Sequence, residues 1–164
     1  MSAKQITGNY SYEVYNSAGD LDKSDKELLD AAKASLKSAY APYSGFNVGA
    51  AVLLEDGTII TGNNQENAAY PSGLCAERVA VFYASSIHPT KKIIAIAISA
   101  TSKDQKINVP VPPCGACRQS IAEYEIKFDK AIRLIMAGES GEVFISPSVS
   151  NLLPLLFSSK NLGK

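Results

Sequence analysis

Three cysteines and a glutamate lie at two places in the chain where helices are predicted to begin. Cys75 lies in PSGLCAERVA, two residues before Glu77, and Cys114 and Cys117 lie in PCGAC. A turn-forming Pro-Ser-Gly precedes the first segment and prolines precede the second, as is typical of helix N-termini. Three thiolates that meet at neighbouring helix starts can bind one zinc ion, because zinc prefers sulfur and nitrogen ligands.

A zinc ion with three protein ligands keeps its fourth tetrahedral position open for water, which is the pattern of catalytic sites. The sequence has no fourth cysteine, and its single histidine, His88, lies in the polar segment SSIHPTKK. We therefore expect His88 to be an exposed loop residue and the zinc site to be catalytic.

The charge of such a site indicates roles for two further residues. Zinc with three thiolates is net negative, which opposes the ionisation of water, whereas each helix N-terminus supplies about half a positive charge. Arg78 adds a full positive charge and can donate hydrogen bonds to thiolate sulfur, although it could also be a surface residue or pair with an acid. Glu77 is either a favourable acidic residue of the first helical turn or a proton shuttle beside the metal. With the metal site in place we favour the shuttle.

Other interpretations of the cysteines stay open. Each could be a small buried hydrophobic residue, and CGAC at a helix start could be a redox pair, because thiolates are stabilised there. A thioredoxin-like motif usually follows an early strand and an aromatic residue, whereas this CGAC follows VPVPP beyond the middle of the chain. A structural, non-catalytic zinc site is the remaining alternative.

Length and composition exclude several classes of protein. A chain of 164 residues, 46% of them hydrophobic, suits one compact domain. Lys plus Arg and Asp plus Glu number 16 each, which argues against a general affinity for nucleic acid. The sequence has neither the apolar run of about 20 residues that spans a bilayer nor a signal peptide, and an odd number of cysteines argues against a disulfide framework. We expect a cytoplasmic protein without nucleic-acid or membrane partners.

Strands and helices alternate along the predicted structure. Ser24–Glu27 has the spacing of a capping box before a first helix of about four turns, and Asp56-Gly57 predicts a hairpin. A helix from about Cys75 to Ala84, a buried strand at Ile93–Ser99, a helix after PCGAC, two short strands and a terminal helical segment broken by Pro154 follow. This order favours an α/β fold with a mixed sheet and helices on both faces.

The first 22 residues are predicted to be an N-terminal extension to a single catalytic domain at 23–164. They are polar and rich in tyrosine, and they contain no motif. Ile6–Tyr15 alternates loosely, so it could add an edge strand or lie on the surface.

The segments SAYAPYSGFNVGAA, GNNQENAAYPSGLCAER and PCGACRQ together closely resemble the small zinc-dependent cytidine deaminases of pyrimidine nucleoside salvage. The resemblance spans about residues 38–157. It implies a three-layer α/β/α sandwich with a mixed, about five-stranded sheet, and hydrolysis of cytidine, and of 2'-deoxycytidine, to the uridine and ammonia. Cys75, Cys114 and Cys117 would bind one zinc ion per subunit, and Glu77 would be the general acid and base.

The resemblance also implies substrate contacts. Phe46 would pack on the pyrimidine ring, the backbone of Ala76 would help hold the base, and Asn64 and Glu66 would hold the ribose hydroxyls. Without the resemblance, Phe46 could be an ordinary core residue, and the polar pair could be solvated turn residues.

The small members of this family are homotetramers whose sites include residues of neighbouring subunits, and Tyr43, Tyr70 and Phe157 match positions near those shared sites. Phe157 could equally pack a terminal helix. Two segments depart from the family pattern, namely the N-terminal extension and a longer loop, SKDQKINVPVP, before the zinc cysteines. A nucleic-acid-editing deaminase and a blasticidin S deaminase are the rival enzymes.

Overall fold

The computed structural model describes residues 3–163, so Met1 and Ser2 of the predicted extension, and Lys164, lie outside the described residues. Strands and helices alternate over most of this range, as the sequence predicts. The strands are β1 (Glu13–Tyr15), β2 (Phe46–Leu54), β3 (Ile59–Asn63), β4 (Ile93–Ser102), β5 (Arg133–Ala137) and β6 (Val143–Ser146), and the helices are α1 (Lys23–Ser35), α2 (Ala76–Ile87) and α3 (Gly115–Phe128).

The strands form one mixed sheet in the order β1-β6-β5-β4-β2-β3. Only β4 and β5 run parallel, and α3 makes the crossover between them; the other neighbours are antiparallel. The Asp56-Gly57 turn joins β2 to β3 in the predicted hairpin, with Leu53 opposite Ile59. Strand β4 lies in the middle of the sheet, which explains its nearly continuous apolar sequence.

Helices cover both faces of the sheet. One core cluster joins α1 to one face through Leu28, Leu29 and Ala32. A second cluster joins α2 and α3 to the other face, with side chains that include Ala80, Val81 and Ile121. The three-layer α/β/α architecture is therefore confirmed, with six strands in the sheet instead of about five.

The additional strand comes from the N-terminal extension. Strand β1 pairs with β6 and places Val14 opposite Phe144, so the edge strand expected within Ile6–Tyr15 is present over its last three residues. Leu21 is buried in the same cluster as α1. A domain boundary near residue 22 stays a prediction.

The start of α1 differs from the prediction. Its N-cap is Asp22, whose carboxylate accepts a hydrogen bond from the backbone N–H of Asp25 at 2.8 Å, so the capping box expected at Ser24–Glu27 is wrong. Asp25 is buried and binds Arg133 of β5 through both carboxylate oxygens, at 3.1 and 2.5 Å. This contact joins residues 108 positions apart, and no local sequence pattern indicates it.

Helix α2 starts one residue and ends three residues later than the predicted range of about Cys75 to Ala84. The terminal segment forms 3-10 turns at Ser150–Leu152 and Ser159–Leu162 on either side of Pro154, because proline has no N–H to continue a helix. No helix among residues 3–163 combines the length and the apolar sequence that crossing a membrane requires.

Candidate active site

The three cysteines meet at the N-terminal ends of α2 and α3. Cys75 is the N-cap of α2, Cys114 is the N-cap of α3, and Cys117 lies in the first turn of α3. Neither N-cap side chain forms a capping hydrogen bond, so both sulfur atoms are free to converge. The three Sγ atoms lie within 4.8 Å of one another.

Burial and charge differ among the three thiols. Cys117 is buried, Cys75 is half-buried and Cys114 is exposed. A hydrogen bond from the Cys117 thiol, together with the nearby Arg78 guanidinium, lowers the pKa of Cys75 to about 5. The same pairing and burial raise the pKa of Cys117. One thiolate is thus favoured in the cluster, and a soft dication is the class of ligand that three such sulfurs fit.

Arg78 lies beside this cluster. Its Nη2 is 3.8 Å from Cys75 Sγ and 3.5 Å from the backbone oxygen of Gly73. Its Nε is buried and has no hydrogen-bond partner among the described residues. The side chain is therefore held near the thiols by one end of its guanidinium, where its charge favours the thiolate form of Cys75.

Glu77 lies in the first turn of α2 and faces the cavity next to the thiols. Its side chain is almost completely enclosed, with 4% of the residue exposed. Burial is the main cause that raises the pKa of its carboxyl, and the neighbouring Cys75 charge raises it further. Glu77 is in none of the salt bridges found among residues 3–163, and a buried carboxyl with a perturbed pKa in a cavity is a candidate functional residue.

His88 is not part of the cluster. It is the C-cap of α2, and its backbone N–H donates to the oxygen of Ala84 at 2.9 Å. His88 follows the last helical residue, Ile87, so it is a loop residue as predicted, but it is half-buried and the predicted exposure is wrong. Among residues 3–163, the three cysteines are the group of side chains that could hold a metal ion.

Cys75 and Cys114 line a cavity of about 760 Å³, which is large enough for a small organic ligand. Most of the predicted site residues line it. These are Tyr43, Phe46, Asn64, Glu66, Tyr70, Cys75, Glu77, Arg78 and Cys114. Cys117 and Ala76 are buried next to the cavity lining, in the first turns of their helices.

Asn64 and Glu66 hold the cavity wall together through hydrogen bonds to the backbone. Asn64 accepts from the N–H of Val48 at 2.8 Å and donates to the oxygen of Phe46 at 2.9 Å. Glu66 accepts from the N–H groups of Tyr43 and Ser44 at 2.9 and 3.2 Å, and from the Ser44 hydroxyl. These three bonds occupy most of the roughly four acceptor positions of a carboxylate. The Ser44 bond is the main cause that lowers the pKa of Glu66.

Of the three residues expected near subunit contacts, Tyr43 and Tyr70 line the cavity and Phe157 does not. Tyr43 and Tyr70 form an edge-to-face pair at the mouth of the cavity, with ring centroids 6.4 Å apart. Phe157 does not line the cavity and is 56% exposed. Its backbone oxygen accepts a hydrogen bond from Gln119 at 2.9 Å.

Several apolar residues of the lining were not predicted. Val48 lies two residues after Phe46 in β2, so strand periodicity could have placed both on one face. Val111 and Pro112 reach the cavity because they directly precede Pro113 and Cys114. The lining residues absent from the prediction are Ser44, Val48, Gln65, Asn67, Gly73, Leu74, Ile98, Val111 and Pro112.

Comparisons with known proteins agree with this geometry. The family model described as "Cytidine and deoxycytidylate deaminase zinc-binding region" matches residues 22–130. A cytidine deaminase of Halalkalibacterium halodurans is 42% identical over 136 residues, or 83% of this chain and 96% of that protein. One from Sporosarcina psychrophila is 40% identical over 84% of this chain and 94% of its own length. The crystal structure of cytidine deaminase from Burkholderia pseudomallei, at 38% identity, aligns with a TM-score of 0.70 over 80% of this chain and 97% of that one.

Proposed function

This chain belongs to the family that shares the cytidine and deoxycytidylate deaminase zinc-binding region, and we propose that it is a zinc-dependent cytidine deaminase of pyrimidine salvage. It hydrolyses cytidine, and 2'-deoxycytidine, to the corresponding uridine and ammonia. The observation that carries this proposal is the buried Glu77 carboxyl beside three converging thiols in one cavity.

The zinc site is formed by Cys75, Cys114 and Cys117, which would hold one ion per subunit. When bound, zinc supplies Lewis acidity that lowers the pKa of water toward neutrality. Arg78 contributes positive charge beside Cys75 and so offsets the charge of the thiolates.

Glu77 is the residue that moves protons. Its carboxylate accepts a proton from the attacking water as oxygen adds to C4 of the base, and it delivers that proton to ring N3. It then transfers a second proton from the oxygen on C4 to the amine, so that ammonia leaves and a carbonyl remains at C4. Glu77 can serve each step because it lies in the cavity next to the thiols and is shielded from solvent.

Three residues of the cavity lining and the neighbouring Ala76 bind the nucleoside. Phe46 packs on the pyrimidine ring, and the backbone of Ala76 at the start of α2 helps hold the base. Asn64 and Glu66 hold the ribose hydroxyls with the capacity left by their bonds to the backbone. Support for these roles comes from the shared cavity of Phe46, Asn64 and Glu66 with Glu77.

The charges of the cavity favour a nucleoside over a nucleotide. Its lining includes the acids Glu66 and Glu77. Among the described residues, Arg78 is the one cationic residue of the lining, and its guanidinium contacts Cys75 and Gly73. A 5'-phosphate therefore meets no free lysine or arginine in the cavity, which disfavours a deoxycytidylate.

We also propose that the enzyme is a cytoplasmic homotetramer. The three free thiols suit a reducing compartment. Helix α2 exposes the large apolar side chains of Phe82, Tyr83 and Ile87, as expected of a surface that packs against another subunit. Phe157 is exposed and does not line the cavity of its own chain, which suits a contact with the site of a neighbouring copy.

An assay of purified protein tests the reaction and separates the rival functions. Cytidine, deoxycytidine, deoxycytidylate, single-stranded DNA and blasticidin S are offered in parallel, and zinc is measured on the same sample. We expect the two nucleosides alone to be deaminated by protein that holds about one zinc per chain. Deamination of DNA or of blasticidin S instead would favour one of the rival enzymes, and no deamination at all would favour a thiol-redox or structural zinc protein.

A further inference from the structure

The segment 103–112, which joins β4 to α3, is attached to the turn at residues 138–141 between β5 and β6. Most of its residues are exposed, but Ile107 is only 6% exposed. The backbone N–H of Glu139 donates to the oxygen of Ile107 at 2.7 Å. In return, the N–H of Ile107 donates to Oε1 of Glu139 at 3.2 Å. Two hydrogen bonds, one of them to a side chain, therefore fix the middle of the segment.

The turn at residues 138–141 contacts this segment closely because two of its residues are glycines. A Cβ atom at Gly138 would lie 2.5 Å from the backbone oxygen of Ile107, and one at Gly141 would lie 2.3 Å from that of Asn108. Gly141 also has a φ of 87°, which disfavours other residues. A side chain at either position would collide with the segment, so the close contact depends on these two glycines.

The turn is itself held by the rest of the domain. The buried hydroxyl of Ser99, in β4, donates to the oxygen of Gly138 at 3.0 Å. Lys33 of α1 donates through Nζ to the oxygen of Glu139 at 3.4 Å. Strand β4 and helix α1 therefore hold the 138–141 turn in place, and this turn holds Ile107.

Ile107 lies close in the chain to two residues of the cavity wall. Val111 and Pro112, which line the cavity, follow Ile107 by four and five residues. Pro110 lies between Ile107 and Val111, and Pro112 and Pro113 follow, so φ is restricted by a proline ring at three of the six residues from 108 to 113. The other end of this stretch is held by Arg118, whose Nε donates to the oxygen of Pro113 at 2.9 Å.

We propose that Glu139 is a positioning residue for substrate binding, because its carboxylate holds Ile107 and thereby sets the place of Val111 and Pro112 in the cavity wall. Glu139 does not itself line the cavity, so it acts through the segment. The inference rests on the proposed function, since the wall is taken to contact the nucleoside.

Steady-state kinetics with cytidine test the proposal. Glu139→Ala is expected to raise KM about fivefold, the equivalent of one lost hydrogen bond, and to leave kcat within about twofold. Glu139→Gln retains an acceptor oxygen for the N–H of Ile107 and is expected to keep the wild-type KM. Glu142→Ala, which removes an exposed glutamate near the same turn, is the matched control and should also leave KM unchanged.

Limited proteolysis gives a readout that does not depend on activity. Trypsin is expected to cleave after Lys106 faster in Glu139→Ala than in the wild type, whereas Glu139→Gln and Glu142→Ala should match the wild type.

If Glu139→Ala does not fold, Gly141→Ala serves instead, because it displaces Asn108 while Glu139 stays intact. It should reproduce both the raised KM and the faster cleavage.

The outcomes separate this proposal from the proposed function. Equal KM values for Glu139→Ala and Glu139→Gln, in enzyme that deaminates cytidine, would overturn the positioning role alone. Faster cleavage with an unchanged KM would also overturn it, because the segment would then be released without effect on binding. Wild-type protein that deaminates neither nucleoside would overturn the proposed function and this inference with it.

Discussion

The sulfur atoms of Cys75 and Cys114 lie 3.8 Å apart, although the two residues are 39 positions apart in the chain. Each is the residue at which a different helix begins. A metal ion held by both would therefore link α2 to α3, and its removal would loosen the contact between them.

Cys114→Ala is expected to reduce both zinc binding and stability. The variant keeps only two of the three thiols, so its zinc affinity should fall by about tenfold or more, and its Tm by about 5–10 °C. Metal analysis of purified protein and a thermal melt measure the two effects. His88→Ala is the control, because His88 caps α2 away from the cluster; full zinc content in Cys114→Ala would contradict the ligand assignment.

Glu77→Gln is expected to retain zinc and lose most activity. The amide has nearly the same shape as the carboxyl but cannot accept and return a proton, so kcat should fall by about 10²–10⁴-fold. Glu123→Gln, on the exposed side of α3, is the matched control. Turnover near that of the wild type in a zinc-replete Glu77→Gln sample would exclude the shuttle role.

Glu66→Ala is expected to raise KM for cytidine by about tenfold with a smaller effect on kcat, because it would remove the proposed ribose contact and frees the backbone of Tyr43 and Ser44. Glu66→Gln keeps an acceptor for the backbone and should have an intermediate KM. Glu27→Ala on α1 removes an exposed glutamate far along the chain and serves as the control. An unchanged KM in Glu66→Ala would argue against substrate contact.

The contribution of Glu66 to binding should depend on pH in a defined direction. Its pKa is lowered from the ordinary value of 4.5, chiefly by the Ser44 hydroxyl. Because the pKa of Glu66 is lowered, its carboxyl is ionised at pH values above 4.5. The ionised form, and the substrate binding proposed for it, is lost only as the pH falls through the lowered pKa. Ser44→Ala should therefore move the acidic loss of binding to higher pH in KM profiles. An identical acidic limb in both proteins would contradict this assignment.

Light scattering tests the proposed assembly. Wild-type protein is expected at about four times the chain mass of 17.4 kDa, and Tyr83→Glu should lower that mass, because it places a charge in the exposed apolar face of α2. Lys23→Glu on α1 is the control for the effect of a new charge. A wild-type mass equal to one chain would contradict the homotetramer.

Local patterns predict the elements that carry the site. Prolines and a Pro-Ser-Gly turn locate the starts of α2 and α3, and Asp56-Gly57 locates the hairpin, because backbone restrictions act over a few residues. The convergence of the thiols follows from these starts lying on one side of one sheet. The sequence therefore suffices to predict that the three thiols lie together with the Glu77 carboxyl beside them.

Contacts between distant residues account for what the patterns do not indicate. Asp22 caps α1 in place of Ser24, and the neighbouring Asp25 pairs with Arg133 from the other end of the chain. Likewise, Ile107, which lies a few residues before the lining residues Val111 and Pro112, donates a hydrogen bond to the side chain of the distant Glu139. Neither of these two contacts can be predicted from hydrophobic periodicity or from composition.

The short strand β1 forms one edge of the sheet. Strand β6 is apolar, and without a neighbour its backbone N–H and C=O groups would form an open template for another chain. Strand β1 covers that edge and offers only three residues of its own. The described part of the extension, residues 3–22, contributes no residue to the cavity, and its effect is to shield the edge of β6 against edge-to-edge aggregation.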